Sequence, residues 1–268
     1  MNRYDYADRN VAIFWDTIRM INTIPELHGA VRNTIDNTTI YTDDEEIDFQ
    51  AEPRFSEPAE IILSQKRSFQ AAMDSISAGK TCVLNFASAH KPGGGVIKGS
   101  GAQEESLCRC STLHPSLIFD EANDKYYARN NDYLPPMGSD GIIYSPGIVI
   151  LKTDESEPKR LPKKKRIKVD VLTCAAPDFR RQEYNEDAFI HAMRKRIRRI
   201  LQVAAEQEVD NLILGAFGCG AFRNPPEIVA SIFKEELEPY MHSFRRIEFA
   251  IKGFRTDPNY AAFEEVFK

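Results

Sequence analysis

The chain has no apolar run of 18 residues, so the sequence offers no membrane-spanning helix. Its first ten residues, MNRYDYADRN, are polar and charged and do not read as a secretory leader. Cysteine is scarce and odd in number, five in 268 residues, which argues for reduced thiols rather than a disulfide framework. Those features together point to the cytoplasm or nucleus. Basic residues do not dominate either: 35 Lys and Arg stand against 40 Asp and Glu, a net charge of −5. That balance lacks the basic footprint of a sequence-specific nucleic-acid binder. No internal repeat is visible. No His or Cys spacing suggests a metal site, since Cys108-Arg-Cys110 has no partner ligands and reads as helix packing. Common phosphate fingerprints are missing as well. Ala78-Gly79-Lys80-Thr81 looks like the tail of a P-loop, but Asp74 stands where its first glycine belongs. The dinucleotide pattern fails at Arg223 after Gly218 and Gly220, and at Glu104 after Gly99 and Gly101.

What is present is a 42% apolar fraction, enough for a core, and a pattern of strands alternating with helices. Helical spacing of Val11, Phe14, Trp15, Ile18 and Ile21 predicts a helix over 9–24 with Phe14 and Trp15 in the core. Residues 23–58 read as an irregular connection with one short strand in TIYTDD. Residues 58–79 read as a second helix, with Pro58 at its first position and Gly79 at its C-cap. Strands are expected at 81–87, 168–177, 211–217 and 245–253, with two strand-like pieces around Pro146-Gly147 in 140–152. Helices are expected from about Glu104 to Leu113, over 185–208 with Phe189 on its apolar face, over 226–239, and in PNYAAFEEVF at the end. Asp154 to Lys168, with two prolines and a reversal from acidic to basic, reads as an exposed charged loop.

Glycine is concentrated where chemistry could use it. Five of 14 glycines lie between Gly93 and Gly101, directly after a strand and before Gln103-Glu104-Glu105. A second cluster, Gly215-Ala-Phe-Gly218-Cys-Gly220-Ala-Phe222, also follows a strand and precedes a helix. Without a Cβ, such backbone can approach a ligand closely and offer N–H groups to an anion. If the two strands are neighbours, the loops face each other across one crevice and could hold a diphosphate without a basic residue. Adjacent glutamates are ordinarily just an acidic first helical turn. Following directly on a glycine loop, they suggest acid–base chemistry. Neighbouring helix positions point about 100° apart, which predicts one catalyst and one helper rather than two equivalent carboxylates. A raised carboxyl pKa would need burial to outweigh the helix dipole.

The run GGG, seven residues, then QEE (Gly93–Gly95 and Gln103–Glu105) resembles the signature of poly(ADP-ribose) glycohydrolases, a macrodomain family. NFASA before it, SLCRCSTL after it and GAFGCGAFRNPP later are most similar to the microbial-type branch. The resemblance implies a three-layer α/β/α macrodomain with a mixed sheet over 58–268 and a helical extension over 1–57. It implies hydrolysis of the O-glycosidic ribose–ribose bonds of poly(ADP-ribose), with ADP-ribose released and no cofactor or metal. It makes Glu105 the catalyst, with Glu104 fixing ribose. Asn85 is placed near the ribose by it, Asn85 with Gly93, Gly94 and Gly95 positions ribose and phosphate, Gln103 joins the substrate-binding residues, and Gly218, Cys219, Gly220, Ala221 and Phe222 lie around the diphosphate and distal ribose. Partners would be the polymer or ADP-ribosylated proteins, with no membrane. Two rivals share the loops: a non-hydrolytic ADP-ribose reader, which needs no glutamate pair, and a hydrolase of another ADP-ribosyl adduct. The chain departs from its relatives at Ala175-Ala176-Pro177-Asp178, where an inward Asp178 would repel a diphosphate. Pro162-Lys163-Lys164-Lys165-Arg166 reads first as a solvated loop, and more sharply as a nuclear-import signal or a patch attracting the polyanionic polymer.

Overall fold

The structure is a computed structural model that describes residues 3–47, 53–132, 138–178, 180 and 185–268. Its centre is a seven-stranded sheet. The strands are β1 (Thr39–Tyr41), β2 (Glu60–Ser64), β3 (Thr81–Phe86), β4 (Ile142–Val149), β5 (Lys168–Cys174), β6 (Asn211–Leu214) and β7 (Arg246–Ala250), in the spatial order β1-β4-β5-β3-β6-β7-β2. β1 and β5 each run antiparallel to β4, and the remaining pairs are parallel, so the sheet is mixed as expected. The near-continuous apolar runs of β3 and β6 follow from burial on both faces. β4 is one strand with a register shift between Ser145 and Ile148, where Gly147 takes a φ of 72°. Pro146-Gly147 therefore makes a bulge, not a break between two strands.

Helices cover both faces. On one lie α1 (Arg3–Thr23), α2 (Pro25–Asp36), α3 (Ser68–Ser75) and α4 (Gln103–Cys110). On the other lie α5 (Glu186–Glu206), α6 (Pro226–Leu237) and α7 (Pro258–Phe267). Short helical turns join α4 to β4. The face of α5 that carries Phe189, Met193, Ile197, Ile200 and Leu201 is fully buried. Burial of these five side chains contributes on the order of 10 kcal/mol before ordering entropy opposes it.

Four expectations are corrected. Residues 23–58 are not simply irregular, because Pro25 opens α2, whose Leu27, Val31 and Thr34 bury one face. Thr34 Oγ1 donates to Pro146 O at 2.9 Å and seats α2 on the β4 bulge. Residues 58–79 are not one helix. Ile61, Ile62 and Leu63 pair with β7 as an edge strand, and the helix begins only at Ser68. A short apolar run fits either period, and the available partner strand decides the outcome here. Trp15 is 54% exposed, stacked edge-on against the buried Phe14. Successive helix positions diverge by about 100°, so only one of the pair can face inward. Finally, Asp154 does not belong to an exposed loop. It is buried, while most of 155–168 is exposed.

Candidate active site

β3 is flanked by β5 and β6, so the loops that leave β3 and β6 are neighbours, as the crevice argument requires. Gln103, the first residue of α4, fixes the helix against β3. Its Oε1 accepts from Phe86 N at 2.9 Å, and its Nε2 donates to Leu84 O at 2.8 Å and to Ser68 Oγ at 3.0 Å. The next two residues are held by the loop they follow. Glu104 accepts from Ser88 N at 2.7 Å and from Asn85 Nδ2 at 3.4 Å. Glu105 Oε1 accepts from Gly95 N at 2.9 Å. Despite the 100° offset, the two long side chains converge. A Cβ on Gly94 would stand 2.8 Å from Glu105 Oε1 and 3.0 Å from Glu104 Oε2. Those two oxygens therefore lie within 5.8 Å of each other, the two distances laid end to end. Gly94, at φ 57°, is the position where glycine is indispensable.

The pair is buried, with Glu104 3% and Glu105 8% exposed. Burial pushes the Glu104 carboxyl up to about 8, against the hydrogen bond from Ser88, and the neighbouring Glu105 charge pushes the same way. Burial thus outweighs the helix dipole at Glu104. Glu105 Oε2 and Asn85 Oδ1, each shielded from solvent, have no hydrogen-bond partner among the described residues. Leaving such an atom unmatched costs about 1–3 kcal/mol. Both would be satisfied by the hydroxyl donors of a sugar.

The glycine loop differs from the expectation in one respect. Most of its N–H groups do not stand free for phosphate: Gly95 donates to Glu105, and Gly94, Val96, Lys98, Gly99 and Ser100 donate to loop carbonyls. The loop instead shapes the floor and pins the glutamates. α1 braces it from outside. A Cβ on Gly99 would meet Ala7 O at 2.2 Å, and Asn10 Nδ2 donates to Gly99 O at 3.0 Å. His114 supports it from behind, 2.5 Å from where a Gly93 Cβ would be, and burial drives its imidazole down to about 4.

The loop after β6 has the free donors. Among the described residues, the N–H groups of Gly218, Gly220, Ala221 and Phe222 have no intramolecular partner. All four residues line a cavity of about 330 Å³. A Cβ on Gly220 would meet nothing within 4 Å, so the space above it is open. Gly218, at φ 75°, is instead required by the fold, since a Cβ would fall 2.3 Å from Asn224 Nδ2. The Cys219 thiol turns inward toward Phe217 O, and burial raises it to about 12. Its contribution is therefore through backbone and small size.

Asp178 is neutralised rather than aimed at the crevice. Arg180 donates Nε to it at 2.7 Å, and the same guanidinium donates to Ala221 O at 2.9 Å and lies over the Phe222 ring at 4.8 Å. The sequence reading did not find Arg180, a basic residue beside this loop. It also missed the far wall of the cavity. There Asp154 accepts from Ser106 Oγ at 2.8 Å and from Phe69 N at 3.1 Å, with Arg67 3.8 Å away. Asp154 thereby ties the start of α3 to the residue next to Glu105. No group of three or more His, Cys, Asp or Glu side chains among the described residues could hold a metal ion.

Residues 21–153 match the family model described as microbial-type PARG, catalytic domain. The poly(ADP-ribose) glycohydrolase of Thermomonospora curvata matches at TM-score 0.86 with 29% identity, over 96% of this chain and 99% of that one. The Deinococcus radiodurans enzyme, solved in complex with ADP-ribose, matches at TM-score 0.79 with 31% identity, over 88% of this chain and 96% of that one. The chain belongs to the microbial-type poly(ADP-ribose) glycohydrolases. Among curated proteins no sequence matches it. The family's GGG…QEE signature lies within the matched residues 21–153, and the likeness in structure extends the family's fold over nearly the whole chain.

Proposed function

We propose that the protein hydrolyses the O-glycosidic ribose–ribose bonds of poly(ADP-ribose) and releases ADP-ribose, with Glu105 as general acid and then base. One observation carries the assignment of roles. Both Glu104 oxygens are engaged, whereas Glu105 Oε2 is buried and without a partner. Burial raises the Glu104 carboxyl to about 8, and Glu105 has the buried oxygen able to meet the departing ribose oxygen. In this reading the ribose sits over Gly93–Gly95, its hydroxyls meeting Asn85 Oδ1 and Glu105 Oε2. The diphosphate takes the N–H groups of Gly218, Gly220, Ala221 and Phe222, and Phe222 lies against the distal ribose. Glu105 protonates the departing ribose oxygen as positive charge develops at the anomeric carbon, and the nearby diphosphate offsets that charge. A water then attacks the anomeric carbon and gives its proton to Glu105.

The division into an extension over 1–57 and a catalytic unit over 58–268 is retained as a reading of the resemblance. Physically the two are interleaved, since β1 pairs with β4 and α1 braces the glycine loop. Five free, buried cysteines suit a reducing compartment, cytoplasmic or nuclear. No helix of the described residues is long and apolar enough to cross a membrane. The test is chromatography of the products formed from a poly(ADP-ribosyl)ated protein. Release of ADP-ribose is the expected result. Tight ADP-ribose binding with no release would make the protein a reader instead. Release confined to mono-ADP-ribosylated substrates would assign it another bond.

A further inference from the structure

The segment from Pro158 to Lys168 holds seven basic residues and no acidic one. The whole chain carries −5, so the rest of it sums to −12 (−5 less +7). Charge of one sign is thus gathered in a single run, against a background that repels anions. Like charges packed this way repel one another.

Two of the seven are neutralised, Arg160 by Asp16 and Lys163 by Glu26 at 2.8 Å. Arg166 is half-buried and donates to Leu161 O. Lys159, Lys164, Lys165 and Lys168 are exposed, and among the described residues none forms an ion pair within the 158–168 surroundings. Of the nearby acids, Glu157 is engaged by Arg9 at 2.8 Å. The run is also held in place. Leu161 is buried and its N–H donates to Leu151 O at 2.8 Å, Ile150 N donates to Ile167 O at 2.9 Å, and Lys165 N closes a single turn on Pro162 O at 2.8 Å.

Its start abuts the cavity. Thr153 N donates to Lys159 O at 2.9 Å, and Lys159 N donates back to Thr153 Oγ1 at 2.9 Å. The next residue after Thr153 is Asp154, which lines the cavity. A chain of diphosphates leaving the crevice on this side would meet Lys159 at the rim, and the run continues from there to Lys168, which opens β5 at the end of the sheet away from the crevice.

We propose that Lys159, Lys164, Lys165 and Lys168 form a track that binds diphosphates of the polymer outside the catalytic crevice. The inference rests on the polymer being the substrate. Lysine ammonium groups suit this task as mobile point charges that follow a flexible polyanion without demanding one geometry. The track would hold a polymer while successive units are removed, and would add nothing to the binding of a single ADP-ribose.

The test uses the full chain with Lys159→Gln, Lys164→Gln, Lys165→Gln and Lys168→Gln combined. Affinity for long poly(ADP-ribose) is measured in the Glu105→Gln background, so that polymer is not consumed, across about 50 to 200 mM salt. Free ADP-ribose is titrated in parallel and reports whether the fold and crevice are intact. The expected result is a loss of polymer affinity of about tenfold or more at the low-salt end, with the logarithmic salt slope reduced by roughly 2 to 3. Affinity for free ADP-ribose should be unchanged. Unchanged polymer affinity and slope overturn the track, as does weakening confined to single-stranded DNA, which would make the run a surface for a different polyanion. Because this measurement needs no turnover, it is separate from the proposed activity. Failure of the native chain to release ADP-ribose refutes the activity and leaves the binding result to be read by itself.

Discussion

Replacing Glu104 by glutamine removes a carboxyl whose ionisation the fold resists. In the folded chain burial raises this group to about 8, from an ordinary value of 4.5. The folded state therefore binds the proton more tightly than the unfolded state. Its stabilising share is fully present below 4.5 and is lost as pH rises through about 8. At about 1.4 kcal/mol per pH unit, that span sets a ceiling of roughly 5 kcal/mol. Local relaxation and water entry should bring the realised difference to about 2–3 kcal/mol. Glutamine is neutral throughout and keeps a carbonyl oxygen for the Ser88 N–H, 2.7 Å from the carboxylate in the parent. Its amide nitrogen meets the Asn85 amide less well, which costs about 1 kcal/mol at every pH. Urea unfolding of both chains at pH 5, 7 and 9 gives the test, because the difference between them cancels every other titrating group. The variant should be slightly the weaker at pH 5 and the stronger at pH 9. If both lose or gain stability in parallel across that range, Glu104 is not held protonated by burial.

Gly94→Ala should be worse than a usual glycine replacement. At φ 57° its Cβ would press on both carboxylates, so a loss of about 1–3 kcal/mol in thermal or urea stability should accompany loss of ADP-ribose release. Asp154→Ala strips an acceptor from Phe69 N and from Ser106 Oγ, and removes the carboxylate that Arg67 faces. About 1–3 kcal/mol of stability should be lost, measured by denaturation, with kcat lowered more than ADP-ribose affinity because Glu105 is the neighbour displaced. Arg180→Ala frees Asp178 and Phe222 together. ADP-ribose affinity by calorimetry should fall about tenfold, while stability changes by less than about 1 kcal/mol, as for an exposed ion pair.

How much of this was legible in advance follows from what each signal depends on. β3, β5, β6 and β7 were readable because each holds a short run rich in apolar and β-branched residues. α5 was readable because its apolar face repeats at 3.6 residues over 21 positions. The two glycine loops and the glutamate pair stood out because close backbone approach has a compositional mark. β2 was missed because five residues of strand hold too few periods to be told from helix, and only β7 beside it decides. α2 was missed because its anchoring contact, Thr34 on Pro146, spans 112 residues. Asp154, Arg180 and His114 serve the site through contacts made by folding, and nothing local in the sequence distinguishes them from other charged or polar residues. The convergence of Glu104 and Glu105 on Gly94 was likewise invisible to helix geometry, which places Cβ atoms but not the ends of long side chains.

In the proposed mechanism Glu105 Oε2, buried and without a partner, moves the proton. The most direct measurement compares ADP-ribose release from poly(ADP-ribose) by the native chain and by Glu105→Gln, with ADP-ribose affinity determined for both. Release should fall about 10³-fold in the variant, in the range of lost acid–base catalysis, with affinity within a few-fold of native. Release by the variant at the native rate, with ADP-ribose still bound, would contradict it.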